Sequence, residues 1–158
     1  MKHLATLIFS LWSLISFSQN DLDRIEGVWN GQGNLFGKEA NFEMTWEKTL
    51  NSKFFKLTFS NEFSDKEGNI RSLKSQAYYK IMDNEELEGY WFDSRGLILP
   101  LKASFADSQL TVFWGDDTTE KGKTVYTIND DGTIDVKDYF RTKDDYKHFG
   151  SANYVKVE

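Results

Sequence analysis

The stretch Ala40-Asn41-Phe42-Glu43-Met44-Thr45-Trp46-Glu47 decides the fold class. Every even position is apolar and every odd position is polar, which is the two-residue period of a β-strand with one buried face. Residues 53–59 continue the alternation, and the intervening Asn51-Ser52 suits a two-residue turn. The sequence therefore predicts a β-hairpin here.

This turn also predicts the register of the hairpin. It places Trp46 opposite Leu57 on one face and Glu47 opposite Lys56 on the other. Apolar side chains then pair with apolar ones, and opposite charges face each other.

The rest of the chain also has the pattern of short strands separated by turn-forming residues. The predicted strands are 29–35, 40–47, 53–59, 71–81, 87–93, 97–105, 110–114, 123–128, 134–141 and 151–157. Residues 21–25 are predicted to add one helical turn before the first strand. An open meander would leave two unpaired edges, which closure removes. We therefore expect an all-β fold, a closed or nearly closed antiparallel up-and-down barrel of about 8–10 strands.

The N-terminus has the pattern of a secretory signal peptide. Met1-Lys2-His3 is a short positive start, residues 4–15 are mostly apolar, and Ser16-Phe17-Ser18 offers small residues for cleavage before Gln19. The apolar run is short for a membrane-spanning helix, and a buried N-terminal helix is the alternative. Residues 1–18 are thus predicted to be removed, leaving 19–158 as one domain in the periplasm or outside the cell.

The composition of the chain argues against several classes of protein. The chain has no cysteine, so disulfides and a lipid anchor on cysteine are not expected. Its net charge of -6 argues against non-specific binding to nucleic acid or to an anionic membrane surface. We expect no membrane insertion after signal cleavage, and the sequence makes no prediction about oligomeric state.

Signals for catalysis are weak. His148 is the single histidine after the leader, and the sequence contains no Gly-x-Ser-x-Gly motif. One histidine without cysteine does not make an ordinary zinc site. We therefore expect no catalytic residues and no metal site, although an enzyme is left open.

The inward faces of the predicted strands are rich in aromatic residues. They either line a ligand cavity or fill the barrel as solid core. Asp93 and Asp138 share the inward phase, and a buried carboxylate is costly unless it is paired. These two lie at the barrel mouths, meet Arg95 or Arg141, or form a polar pole for a ligand head group. The candidate ligand-binding residues are Phe42, Met44, Trp46, Leu57, Phe59, Tyr79, Trp91, Trp114 and Tyr126.

Three motifs resemble the calycin superfamily, which includes lipocalins, fatty-acid-binding proteins and nitrobindin-like barrels. They are Gly27-x-Trp29-x-Gly31-x-Gly33, Gly89-Tyr90-Trp91-Phe92-Asp93 and Leu110-Thr111-Val112, and together they are most similar to lipocalin-like bacterial families of unassigned function. In calycins a late basic residue packs over the first tryptophan, so the resemblance implies that Arg141 and Trp29 close one end of the barrel. Nitrobindin-like barrels bind haem through a late histidine, which makes His148 a candidate haem ligand.

Three functional hypotheses follow. The first is an exported, lipocalin-like, non-catalytic barrel that binds a small hydrophobic molecule and needs no cofactor. The second is a haem protein that uses His148. The third is a solid barrel that acts as a protein-interaction or envelope-structural module through the outward aromatics Phe54, Tyr78, Tyr90 and Phe92.

Overall fold

The structure is a computed structural model that describes residues 18–82 and 86–157. The predicted signal peptide, apart from Ser18, lies outside the described residues. Within the described ranges, no helix is long and apolar enough to cross a membrane. The elements are α1 Ser18–Ile25, β1 Gly27–Leu35, β2 Lys38–Thr49, β3 Phe54–Ser64, β4 Ile70–Ile81, β5 Glu86–Asp93, β6 Ile98–Ala106, β7 Gln109–Trp114, β8 Gly122–Ile128, β9 Ile134–Arg141 and β10 Tyr146–Lys156.

The strands form one closed antiparallel barrel in which each strand pairs with its neighbours in sequence and β1 pairs with β10. The all-β, up-and-down barrel predicted from the alternation is confirmed. The predicted helical turn is confirmed within α1, which begins earlier, and the last strand begins at Tyr146 rather than at residue 151.

The predicted hairpin register is confirmed between β2 and β3, where Trp46 pairs with Leu57 and Glu47 with Lys56. At the turn, Asn51 and Ser52 have φ of 57° and 58°. Positive φ at both central residues fits a type I′ turn, whose twist matches that of the flanking strands, and the preceding Leu50 also has a positive φ of 50°. Local turn chemistry therefore sets this pairing.

The seam between β1 and β10 depends on two glycines. Gly31 pairs with Tyr154 and Gly33 with Ala152. A Cβ on Gly31 would lie 2.6 Å from the Tyr154 ring, and one on Gly33 would lie 2.0 Å from the Ser151 carbonyl oxygen. The closed sheet has no room for a side chain at either position.

One half of the barrel is filled by aromatic side chains. The Trp46 ring lies 5.0 Å from Phe55, 5.6 Å from Tyr79 and 5.6 Å from Tyr126, measured between centroids. Such spacings are those of favourable offset and edge-to-face ring pairs. We call this half the closed half.

The helix α1 covers the closed half. Its residues Leu22 and Ile25 are buried in the core, and the Trp29 indole N–H donates a 2.8 Å hydrogen bond to the Ile25 carbonyl. Arg24 reaches the β6–β7 turn, where Nη1 donates to Ser108 Oγ at 3.1 Å. Trp29 is thus buried at this end of the barrel and joins β1 to α1.

The predicted packing of Arg141 over Trp29 is wrong. The basic group over Trp29 is Lys156, whose Nζ lies 5.3 Å from the ring centroid, whereas the Arg141 guanidinium lies 4.9 Å from the Tyr146 ring. Lys156 is the register partner of Trp29 on β10. Arg141 is the last residue of β9, which begins in the closed half and extends roughly 20 Å from it, at about 3.3 Å per residue. Arg141 therefore lies at the opposite end of the barrel from Trp29.

We expect Gly33→Ala to lower the free energy of unfolding by about 1–3 kcal/mol, because the new methyl group meets backbone that cannot rotate away. Urea denaturation followed by far-UV circular dichroism measures the change. The control is Gln32→Ala at the exposed neighbouring position, which we expect to change stability by about 0.5 kcal/mol at most. Equal stability of Gly33→Ala and wild type would show that the seam tolerates a side chain.

Candidate functional site

The barrel half opposite α1 contains a cavity of about 400 Å³. Small-molecule sites commonly fall between about 300 and 1,000 Å³. Its walls are mainly apolar and aromatic, and it extends from Tyr79 and Tyr126 to Arg71 near the start of β4 and Phe36 in the β1–β2 turn. We call this half the open half.

Six of the nine predicted ligand-binding residues line the cavity, namely Phe42, Phe59, Tyr79, Trp91, Trp114 and Tyr126. The other three, Met44, Trp46 and Leu57, do not. They are 1%, 0% and 1% exposed and belong to the closed half. Strand phase correctly placed them inside the barrel, but they form core rather than cavity wall.

An aromatic cluster at the far end of the cavity was not predicted. The Phe149 ring centroid lies 4.1 Å from Phe140 and 5.1 Å from Phe36, and all three line the cavity. The β9–β10 register shifts between His148 and Gly150, and this irregularity lies next to Phe149. A glycine inside a strand often marks a bulge, so Gly150 was the signal available in the sequence.

The principal polar group on the cavity wall is Asp138. The Thr124 hydroxyl donates a 2.6 Å hydrogen bond to Asp138 Oδ1, and Trp114 Nε1 donates to Thr124 Oγ1 at 3.3 Å. Asp138 retains some accessible surface because it faces the cavity. Burial raises the pKa of Asp138 to about 6, and the Thr124 hydrogen bond and the nearby His148 offset only part of that shift.

Two tyrosines share this environment. Burial raises the pKa values of Tyr126 and Tyr154 far above the ordinary range, and the Asp138 carboxylate raises them further. Both phenols therefore stay neutral at physiological pH. They can offer hydrogen bonds to a ligand but not charge.

A second polar group, Asn61, lines the cavity from β3. Its side chain is 8% exposed, and its Oδ1 has no hydrogen-bond partner within the part of the chain that the structure describes. Leaving a buried amide oxygen unsatisfied costs about 1–3 kcal/mol. Oδ1 has almost no accessible surface, so a ligand donor in the cavity reaches it only if the side chain turns.

The mouth of the cavity carries an ionic cluster. Arg95 Nη2 lies 2.7 Å from Asp93 Oδ2 and 2.7 Å from Glu120 Oε1, which links the β5–β6 and β7–β8 loops. Burial alone would raise the pKa of Asp93, but hydrogen bonds from Arg95 and Trp91 outweigh it and hold that pKa below its ordinary value. The expected partnership of Asp93 and Arg95 is confirmed.

The residues present do not fit a haem ligated by His148. This side chain is exposed and is not part of the cavity wall, and its ring lies 5.4 Å from that of Tyr139. The register partner of His148 is Tyr139. Because neighbouring residues of a strand point to opposite faces and Asp138 points into the barrel, Tyr139 points outward, and His148 points outward with it. Across residues 18–82 and 86–157, no group of three or more histidines and carboxylates could hold a metal ion.

Comparison with known proteins supports the fold. No protein-family model matches the sequence, and no curated protein matches it. Among solved structures the chain is similar to that of Rv2717c from M. tuberculosis, with a TM-score of 0.61 and 13% identity over 90% of this chain and 99% of that chain. At this identity the likeness shows a small antiparallel barrel and nothing about function.

We expect Asp138→Asn to stabilise the protein at pH 7.5 by up to about 3 kcal/mol, since about two pKa units separate the folded and unfolded carboxyl group. Between about pH 4 and pH 6 the folded state binds a proton that the unfolded chain does not. Wild-type stability therefore falls as the pH rises through this window, and the variant lacks that loss. Chemical denaturation at pH 4 and pH 7.5 measures both effects.

Asp135→Asn is the matched control on the same strand. Hydrogen bonds from Asn153 and Asn129 lower the pKa of Asp135, so its charged form stabilises the fold. We expect this variant to be less stable than wild type at pH 7.5, the opposite sign. The same direction of change in both variants would contradict the account of Asp138.

Proposed function

We propose that this protein is an exported, calycin-like barrel that binds a small, largely apolar molecule without catalysis. The observation that carries the proposal is the cavity of about 400 Å³, lined by rings and few polar groups. Export rests on the leader sequence, and the calycin assignment rests on the three motifs.

The two halves of the barrel support this function in different ways. The closed half supplies the packed core, so the open half can hold a cavity without loss of the fold. A ligand there would gain about 0.8 kcal/mol for each methylene it buries. Phe42, Phe59 and Trp91 offer flat apolar faces for such a ligand.

The cavity favours a container over a solid interaction module. Outward aromatics do exist, since Tyr90 and Phe92 are exposed, while Phe54 and Tyr78 are half-buried. Tyr78 is the register partner of Tyr90, and Phe92 lies two residues along the same face of β5, so these three rings are neighbours on the outer surface. A lined cavity of this size is the more specific feature.

Val112→Phe tests the proposal by adding a ring to the cavity wall. We expect the variant to weaken binding of 1-decanol by at least about tenfold, because the ring occupies volume that the ligand needs. Isothermal titration calorimetry measures the affinity. The indoles of Trp91 and Trp114 in the cavity wall supply a second readout by fluorescence.

The matched control is Thr111→Phe, which adds the same ring at the neighbouring, outward position of β7. It should leave binding unchanged. If wild type binds neither 1-decanol nor the other decyl probes described below, the proposal fails. Equal binding by wild type and Val112→Phe would place the ligand outside the cavity.

The haem alternative has a direct test. Because His148 lies outside the cavity, we expect hemin added to wild type and to His148→Ala to give the same absorption spectrum. A Soret band that is present in wild type and lost in the variant would establish histidine ligation and overturn the non-catalytic proposal in favour of a haem protein.

A further inference from the structure

The charges around the cavity are distributed unevenly. Arg71, Arg95 and Glu120 belong to its mouth, where Arg71 pairs with Asp65 at 2.8 Å and Arg95 joins Asp93 and Glu120. Asp138 lies deeper on β9, two register positions from the pair formed by Tyr126 and Val136, which also line the cavity. The interior therefore presents a negative group, while the positive groups at the mouth already have acidic partners.

Asp138 is only partly satisfied. Thr124 donates to Oδ1, and no described residue donates a hydrogen bond to Oδ2. No lysine or arginine among the described residues forms an ion pair with this carboxylate, and the nearby His148 lies on the exposed outer face of the sheet. A carboxylate on an apolar wall with one neutral donor is an acceptor site in need of a cation.

The surroundings of Asp138 suit an ammonium group. The Trp114 indole is joined to it through Thr124, and the Phe140 ring lies 5.8 Å from Trp114 in an edge-on arrangement. Aromatic faces attract cations, more strongly where water is excluded. Gly150 leaves Asp138 uncovered on the β10 side, where an added Cβ would lie 3.4 Å from Oδ2.

Building on the proposed function, we propose that the natural ligand of the cavity is an amphiphile with a protonated amine, bound by Asp138 while its apolar part lies against the aromatic walls. The ammonium donates a charge-assisted hydrogen bond to Oδ2. Asn61 can donate or accept, so it tolerates several polar groups. Asp138 sets the charge preference.

The same geometry disfavours a fatty acid. An ionised ligand carboxylate would meet the like charge of Asp138, and the arginines at the mouth are already engaged. A neutral alcohol avoids that repulsion but leaves the Asp138 charge without a counter-ion. The amine alone supplies both a donor and a positive charge.

Three probes of equal chain length test the proposal, namely decylamine, 1-decanol and decanoic acid. Their affinities are measured by isothermal titration calorimetry at pH 7.5 on wild type, Asp138→Asn and Glu43→Gln. The last variant removes a charge on the outer surface of β2, where Glu43 is exposed, and serves as the matched control.

We expect wild type to bind decylamine at least about tenfold more tightly than 1-decanol and to bind decanoic acid most weakly. Asp138→Asn should remove the amine preference, and an unchanged far-UV circular dichroism spectrum shows that the variant is folded. Glu43→Gln should behave as wild type.

The outcomes distinguish failure of the amine proposal from failure of the proposed binding function. If 1-decanol or decanoic acid binds wild type as tightly as decylamine, the amine proposal is overturned and the binding function stands. An amine preference that survives Asp138→Asn also overturns it. If no probe binds wild type, both proposals fail.

Discussion

Closure of the sheet between β1 and β10 is the constraint on which the rest of the structure depends. It sets the lumen width, because a barrel of ten strands is wider than the side chains of one layer readily fill. Closure itself requires the Tyr154 ring to lie against Gly31 and the β10 backbone to lie against Gly33. Gly31 and Gly33 of the Gly27-x-Trp29-x-Gly31-x-Gly33 motif are therefore required for closure, and closure in turn forms the lumen.

That lumen is divided along the barrel axis. Trp46 and its ring partners fill one half, and α1 covers it through the Trp29 hydrogen bond to Ile25. A few large aromatic side chains are enough to fill this half, since each buries a large apolar area. The open half is left with walls but without a plug, which is why a folded, well-packed barrel and a cavity can coexist in one chain.

The sequence predicted strand pairing better than it predicted position along the axis. The β2–β3 register followed from alternation and turn chemistry, both local properties. The alternation along a strand predicts that a side chain points into the barrel, but not where it lies along the barrel axis. The sequence therefore did not distinguish Leu57 and Trp46, which form core, from Phe42, which lines the cavity. The assignment of Arg141 failed for a related reason, because the residue over Trp29 depends on which strand closes the sheet. Phe149 depends on a register shift that alternation alone does not reveal.

At Asp138 the stability of the fold and the proposed binding function favour different side chains. Burial raises its pKa, so at neutral pH the folded state bears the cost of a charge in apolar surroundings, which an uncharged isostere would avoid. Thr124 reduces that cost but leaves Oδ2 without a hydrogen-bond donor among the described residues. A barrel selected for stability alone would gain from an amide at this position. Destabilising polar groups on cavity walls are typical of binding sites, where the ligand supplies the missing partner. The residue of the open half that costs the fold most is therefore the one on which the proposed amine preference depends.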